Sequence, residues 1–153
     1  MTWKPHLTVA AVIQKDNRFL LVEEEVRDGS IVINQPAGHV ELGETIVQAV
    51  VRETLEETGY DFLPEALVGA YHWYSKAIDY TCIRFTFTGR LIDHHPTSSL
   101  DKEIIRTLWY SKEQLSAESM RHRSPLVATC VEDYLNGRRY PLEFIHTIFS
   151  DLP

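Results

Sequence analysis

Long apolar runs, cysteine and positive charge are all scarce in this sequence of 153 residues. No stretch approaches the roughly eighteen consecutive apolar residues of a transmembrane helix, and we expect no signal peptide. Its two cysteines, Cys82 and Cys130, form no CxxC motif, which excludes a disulfide framework and is typical of buried thiols in a reducing cytoplasm. Lysine and arginine number 15 against 22 acidic residues, a net charge of −7 that disfavours nucleic-acid binding. We therefore expect a cytoplasmic protein without a membrane or nucleic-acid partner.

The rest of the composition is that of one folded domain. An apolar fraction of 44% and a charged fraction of 24% are ordinary for globular proteins, so we predict a single domain over 1–153. Strands followed by one strong helix, more strands and late helices predict an α/β fold, a mixed sheet flanked by helices. Asp16-Asn17 should join the first two strands in a hairpin, and Pro36 should end the third. Predicted strands cover 6–13, 18–23, 31–33, 67–74, 80–91 and 107–110, and predicted helices cover 45–58, a brief segment after Ser111, and Ser124 to Gly137.

The helix over 45–58 carries the strongest local signals. Thr45 and Gln48 fit a capping box at its start, and Gly59 fits a left-handed residue just past its end. Residues three and four apart on a helix are neighbours, so three glutamates of this helix should share one face, opposite a mostly apolar face. They are Glu53, Glu56 and Glu57.

Crowded carboxylates repel one another, and the cost rises in a cleft, where the effective dielectric is lower. Protonation relieves the repulsion by raising pKa values, and a hard divalent cation relieves it by direct ligation. Oxygen ligands suit Mg²⁺, with Mn²⁺ as a substitute, and Mg²⁺ shares its coordination shell with phosphates. A solvated acidic face is the alternative interpretation of such a run. The pattern favours a helix that holds Mg²⁺ against a diphosphate.

The segment 38–60 also has a specific spacing, G-x₅-E-x₇-R-E-U-x-E-E-x-G-U, where U is a bulky apolar residue. This pattern resembles the Nudix box, although Thr54 stands at the first U position and Tyr60 at the second. The resemblance implies a Nudix α/β/α sandwich and hydrolysis of nucleoside diphosphates linked to another moiety. The seven fixed positions that match are Gly38, Glu44, Arg52, Glu53, Glu56, Glu57 and Gly59.

Further segments, from the first residues almost to the last, resemble the NudJ-type phosphatase subgroup. That resemblance implies action on nucleoside tri- and diphosphates and on the diphosphate of the thiamine pyrimidine precursor. The segments are Lys4-Pro5-His6, Phe19 to Glu24, Asn34 to His39, Arg123 to Leu126 and Arg139 to Glu143.

By the same resemblance, Glu53, Glu56 and Glu57 are metal ligands, and the Ala37 carbonyl is a further candidate. Glu56 or Glu57 is the preferred general base for water attack on phosphorus. A distal carboxylate often completes such sites, and Glu103 is our candidate.

Several of these assignments have alternatives. Asp101 competes with Glu103, and either could be a solvated loop anion. Glu44 suits the helix dipole as well as a catalytic role. Arg52 could orient Glu56 or form a simple surface ion pair. We expect Gly38 to supply backbone freedom for a tight turn at Ala37-Gly38.

Contacts with the substrate are predicted at Arg84, His39 and Tyr74. Arg84 lies mid-strand and could meet a phosphate or form an ordinary ion pair, and His39 could meet a phosphate too. Tyr74 belongs to the aromatic run 71–74, which could stack on a base or fill the core.

The predicted function is Mg²⁺-dependent hydrolysis of a small nucleotide or organic diphosphate by a monomer or homodimer. One rival is a Nudix hydrolase for another substrate such as ADP-ribose. A subgroup with that activity carries a proline well past the box, whereas here Pro64, close to it, is the only proline between 61 and 95. A second rival is a noncatalytic, nucleotide-sensing module, which tends to lose box carboxylates.

Overall fold

A computed structural model describes residues 3–150 of the chain. It has eight strands: β1 His6–Val12, β2 Gln14–Lys15, β3 Arg18–Glu25, β4 Ile31–Asn34, β5 Ala37–His39, β6 Tyr60–Ser75, β7 Tyr80–His94 and β8 Ile104–Tyr110. The helices are α1 Ile46–Thr58, α2 Lys112–Ala117 and α3 Leu126–Leu135.

The strands form two four-stranded sheets. The first has the order β5-β1-β7-β6, in which β1 and β7 are parallel and the other pairs antiparallel. In the second, β3 pairs antiparallel with β2, β4 and β8. The predicted mixed sheet with flanking helices is therefore confirmed. No helix in the described range 3–150 is long and apolar enough to cross a membrane.

Several observed strands differ from the predicted ones because of long-range pairing. The predicted hairpin between 6–13 and 18–23 is wrong, because β1 joins the first sheet and only the short β2 folds back on β3. The turn at Asp16-Asn17 is correct, with φ of 51° and 60°. Pro36 lies between β4 and β5, and the chain pairs with β1 directly after it, as β5. Strand β6 begins directly after α1, and β7 runs past the predicted loop start, since Tyr60 pairs with His94.

Helix α1 begins and ends where the sequence predicts. Thr45 caps it with a complete capping box, and Gly59 closes it at φ 73°. The predicted acidic face opposite an apolar face is wrong, because the side turned inward includes two glutamates and Leu55 is 37% exposed. Thr54 is fully buried and its hydroxyl donates to the Val50 carbonyl at 2.8 Å, so the departure from the family pattern is accommodated locally. The buried residues of α1 are Ala49, Val50, Glu53, Thr54, Glu57 and Thr58.

Two apolar clusters hold the layers together. One cluster combines Val9 and Ala11 of β1 and the adjoining Ile13 with residues of α1. The other combines Val12 with residues of β3 and α3. Alternate residues of a strand point to opposite faces, so β1 serves both clusters. The late helices follow their predicted signals, except that Pro125 is the residue before α3 rather than its first.

Candidate metal and catalytic site

Three carboxylates meet beside the C-terminal half of α1. One oxygen from each of Glu53, Glu56 and Asp101 lies within 4.8 Å of the other two. Asp101 comes from the segment before β8, and its backbone N–H donates to the Glu56 carbonyl at 3.0 Å, which ties that segment to the helix. Asp101, not the predicted Glu103, is thus the distal carboxylate that joins the group. The Glu103 side chain is about half exposed, and one of its oxygens lies 3.8 Å from Lys102 Nζ.

Arg52 binds the surrounding carboxylates together. Its Nε and Nη2 donate to the two oxygens of Glu44 at 3.0 and 2.7 Å, a bidentate contact. Its Nη1 donates to Glu53 at 2.9 Å and to Glu56 at 3.1 Å, and Nη2 also donates to the His39 carbonyl at 2.9 Å. The sequence predicted the contact with Glu56 and did not predict the one with the adjacent Glu53. The long side chain reaches both, and its hydrogen bonds hold the pKa of Glu44 below its ordinary value.

Close packing, and not backbone freedom, explains why residue 38 is a glycine. It lies within the extended strand β5, so the predicted tight turn at Ala37-Gly38 is wrong. A Cβ added at Gly38 would lie 2.1 Å from the carboxylate carbon of Glu53. Because no side chain fits in that space, glycine lets the strand approach the glutamate.

Burial without full compensation raises the pKa of two glutamates. Desolvation raises the pKa of Glu53 to about 7, although Arg52 opposes it. Glu57 is buried deeper, and desolvation, reinforced by the negative charges of Glu24 and Glu53, raises its pKa well above 4.5. Its one hydrogen-bond donor among residues 3–150 is the Ala37 N–H, at 3.3 Å from Oε2. Glu57 lies outside the group of three carboxylates. Metal binding by the Ala37 carbonyl stays a prediction.

A cavity of about 590 Å³ opens next to this group, and we call it the main cavity. Glu57 and Asp101 line it, so the carboxylates and the cavity form one site. Glu24, at the end of β3, also lines it, and burial raises its pKa despite Arg123 at 3.7 Å. Glu24 was not among the predicted site residues, since nothing in the local sequence distinguishes it from its neighbours Glu23 and Glu25.

Two of the three predicted substrate contacts line the main cavity. They are Arg84, which is 7% exposed, and His39, whose Nε2 lies 3.2 Å from His6 Nδ1. Tyr74 is 57% exposed and is not a lining residue. Successive residues of a strand point to opposite faces, so the preceding residue, Trp73, faces the cavity instead, together with Tyr80.

Comparisons with known proteins agree with this geometry. Residues 4–129 match the NUDIX domain, so the chain belongs to the Nudix family. As predicted, it is a Nudix hydrolase related to NudJ. It is 42% identical over 144 residues to phosphatase NudJ of Escherichia coli strain K12, covering 94% of this chain and 92% of the relative.

Solved structures give the same fold. A NUDIX hydrolase from Nitrosomonas europaea is 50% identical, with a TM-score of 0.93 and coverage of 95% of this chain and 98% of the other. A MutT protein from Methanosarcina mazei Go1 shares the fold at a TM-score of 0.71 and 23% identity, covering 91% and 100% of the two chains.

Proposed function

We propose that this protein hydrolyses nucleoside tri- and diphosphates and related organic diphosphates with the help of Mg²⁺, for which Mn²⁺ can substitute. The observation that supports this most is the group formed by Glu53, Glu56 and Asp101, because Asp101 belongs both to that group and to the wall of the main cavity. A metal held there would lie beside the space that a substrate occupies.

The donor set suits a hard divalent ion. Every side-chain donor is a carboxylate oxygen, and one guanidinium, that of Arg52, faces Glu44, Glu53 and Glu56 together. Glu53 Oε2 and Glu56 Oε1 accept no hydrogen bond among residues 3–150 and remain available as ligands. When bound, Mg²⁺ supplies charge neutralisation for the phosphates and a more acidic water.

Glu57 is our proposed general base. Its buried carboxylate lines the main cavity, and the Ala37 N–H holds one oxygen while the other has no partner among the described residues. That second oxygen can take the proton of a water that attacks phosphorus. Arg52 acts as a positioning residue, because its hydrogen bonds fix Glu53 and Glu56, and Glu44 fixes Arg52 in turn.

The substrate class rests on the cavity and on the relatives. A volume of about 590 Å³ lies within the range of small-molecule sites, roughly 300–1,000 Å³. The 42% identity to phosphatase NudJ supports action on phosphate compounds. The resemblance of the sequence to that subgroup implies the diphosphate of the thiamine pyrimidine precursor among them. Two buried free thiols, Cys82 and Cys130, fit the reducing cytoplasm we propose.

A phosphate-release screen tests this function. Purified protein is incubated with nucleoside tri- and diphosphates, ADP-ribose and the thiamine-precursor diphosphate, with Mg²⁺, Mn²⁺ or EDTA, and the products are identified. We expect metal-dependent release from nucleotides and from the precursor. Turnover of ADP-ribose alone would favour the rival hydrolase. Binding of nucleotide without turnover of any substrate would favour the sensing module.

A further inference from the structure

Asp101 reaches the group of three carboxylates from a loop that packs on the end of helix α1. This loop covers residues 95–103, between β7 and β8, and we call it the β7–β8 loop. The His95 N–H donates to the Gly59 carbonyl at 2.8 Å, and the Asp101 N–H donates to the Glu56 carbonyl at 3.0 Å. The last carbonyl groups of a helix have no partner inside the helix, so the loop completes the end of α1.

Glu56 holds the loop through its backbone and faces Asp101 with its side chain. The Tyr60 N–H, which would bond to the Glu56 carbonyl if the helix continued, donates instead to Thr58 Oγ1 at 3.2 Å. The Glu56 carbonyl is therefore left to the loop, and one backbone hydrogen bond places Asp101 beside the Glu56 carboxylate. The position of Asp101 thus depends on how firmly the rest of the loop is held.

Side chains hold the loop at its other end. His95 Nε2 lies 2.8 Å from Asp61 Oδ2, and this hydrogen bond is the main reason that the pKa of His95 is raised. Ser98 closes a turn, since its N–H and its hydroxyl both donate to the His95 carbonyl, at 3.0 and 2.7 Å. We call Asp61, His95 and Ser98 the anchor residues. Next to them the His94 ring stacks on Tyr60, with centroids 4.0 Å apart.

The loop lies directly against the end of the helix at Gly59. A Cβ added there would lie 3.0 Å from both the His95 carbonyl oxygen and Ser98 Oγ. Contacts this close fix the start of the loop, and a short segment connects that start to Asp101. A shift at the anchor residues would therefore move Asp101.

The charges explain why Asp101 has to be held. Its carboxylate lies close to those of Glu53 and Glu56. Desolvation is the main cause of the raised pKa of Glu53 and of Glu57, and the charge of Asp101 adds to it. Like charges repel one another, so the group of carboxylates pushes Asp101 away in the metal-free protein. The contacts of the anchor residues oppose this repulsion and keep the ligands together before the ion binds.

We propose that Asp61, His95 and Ser98 are positioning residues, which hold the β7–β8 loop so that Asp101 is in place to bind the metal. None of the three belongs to the group of carboxylates or lines the main cavity, so they act through Asp101. This inference rests on the proposed function, because it treats Asp101 as a metal ligand.

Mg²⁺ binding in the absence of substrate tests the anchor residues. Isothermal titration calorimetry gives the dissociation constant, and melting curves in EDTA show that each variant is folded. Exposed ion pairs and single hydrogen bonds are weak. We therefore expect Asp61→Ala and Ser98→Ala each to weaken Mg²⁺ binding about twofold to fivefold, and the double variant about tenfold.

Conservative variants and a distant ion pair serve as controls. Asp61→Asn keeps a hydrogen-bond acceptor and Ser98→Thr keeps the hydroxyl, so both should bind Mg²⁺ nearly as well as the wild type. Glu132→Ala breaks another exposed ion pair, with Lys112 at 2.7 Å, away from the carboxylates. The Mg²⁺ affinity of this variant should be unchanged.

A double-mutant cycle with Asp101 separates positioning from general destabilisation. Asp101→Asn should itself weaken Mg²⁺ binding about tenfold or more, because it removes a charged ligand. In that background Asp61→Ala should have little further effect on the Mg²⁺ affinity, because the residue it positions is gone. Hydrogen exchange in EDTA gives a readout without metal: the Asp101 N–H should exchange faster in Asp61→Ala, whereas the amides of α1 should not.

Two results would overturn the positioning role while the proposed function stands. One is a wild-type Mg²⁺ affinity in the double variant of Asp61→Ala and Ser98→Ala. The other is a loss in Asp61→Ala that is equally large in the Asp101→Asn background, since such a loss does not act through Asp101. An unchanged Mg²⁺ affinity of Asp101→Asn would contradict the metal site of the proposed function, and the positioning role with it.

Discussion

Two clusters of glutamate and arginine in this protein have opposite charge balance. On β3, the buried Glu23 accepts from Arg106 Nε and from Arg121 Nη2, both at 2.6 Å, so two cations face one carboxylate. The hydrogen bond from Arg106 is the main reason that its pKa lies below the ordinary value. On α1, one arginine, Arg52, faces several carboxylates, and the pKa of Glu53 is raised.

The direction of the pKa shift separates the two kinds of cluster. A carboxylate with surplus cations is stable when ionised and helps to hold the second sheet. A carboxylate with too few neighbouring cations can still bind a positive ion, and the carboxylates of α1 lie beside the main cavity. Both clusters contain buried glutamates, so burial alone does not identify the site.

A substitution of Glu57 tests the contrast between the two clusters most directly. We expect Glu57→Gln to lower kcat by about 100-fold or more, because the amide cannot take a proton. Thermal stability in EDTA should be unchanged or higher, since the amide avoids the desolvation cost that raises the pKa of the Glu57 carboxyl group. Glu65→Gln, an exposed position on β6 paired with Arg90, is the matched control and should be neutral. Full activity of Glu57→Gln would remove Glu57 from the mechanism.

A substitution of Gly38 tests the cluster on α1 through the position of Glu53. A methyl group at Gly38 would push the Glu53 carboxylate away, and misplacing a catalytic group by about 1 Å can cost about 100-fold in rate. We expect Gly38→Ala to lower kcat/KM by about tenfold to 100-fold and to weaken the thermal shift caused by Mg²⁺. Wild-type kinetics in this variant would show that Glu53 is not needed where it lies.

Glu23→Gln should produce the reverse pattern. The charge-assisted hydrogen bonds to Arg106 and Arg121 weaken, which we expect to cost about 1–2 kcal/mol of unfolding free energy. Urea denaturation measures this loss, and kcat should stay close to that of the wild type. A large loss of kcat in a folded protein would mean that Glu23 belongs with the site after all.

The smallest effect concerns pH and metal. The folded protein holds a proton on Glu53 up to about pH 7, whereas the unfolded chain releases it near 4.5. Between these values the folded state binds more protons, so the unfolding free energy of the metal-free protein should fall as pH rises. Mg²⁺ binds the ionised form, and its stabilisation should grow over the same range. Melting curves at pH 5 and 8, with Mg²⁺ or EDTA, measure both; an equal metal shift at the two pH values would contradict the link.

Local signals were predicted well, because they involve residues close in the chain. The capping box at Thr45 and the left-handed Gly59 need only contacts within three or four residues. Strand ends were predicted poorly, because β5 and the first part of β6 exist through their partners β1 and β7. The apolar face of α1 was misplaced for the same reason, since the exposure of a residue such as Leu55 depends on what packs against the helix.

The sequence alone determined the helix with its glutamates and the family to which the chain belongs. Both depend on fixed spacings between residues of one segment. Only the tertiary structure decided which distant groups join that helix. Asp101 rather than Glu103 completes the carboxylate group, and Trp73 rather than Tyr74 lines the cavity. These choices depend on loop placement and on which face of a strand turns inward, and both are set by long-range pairing.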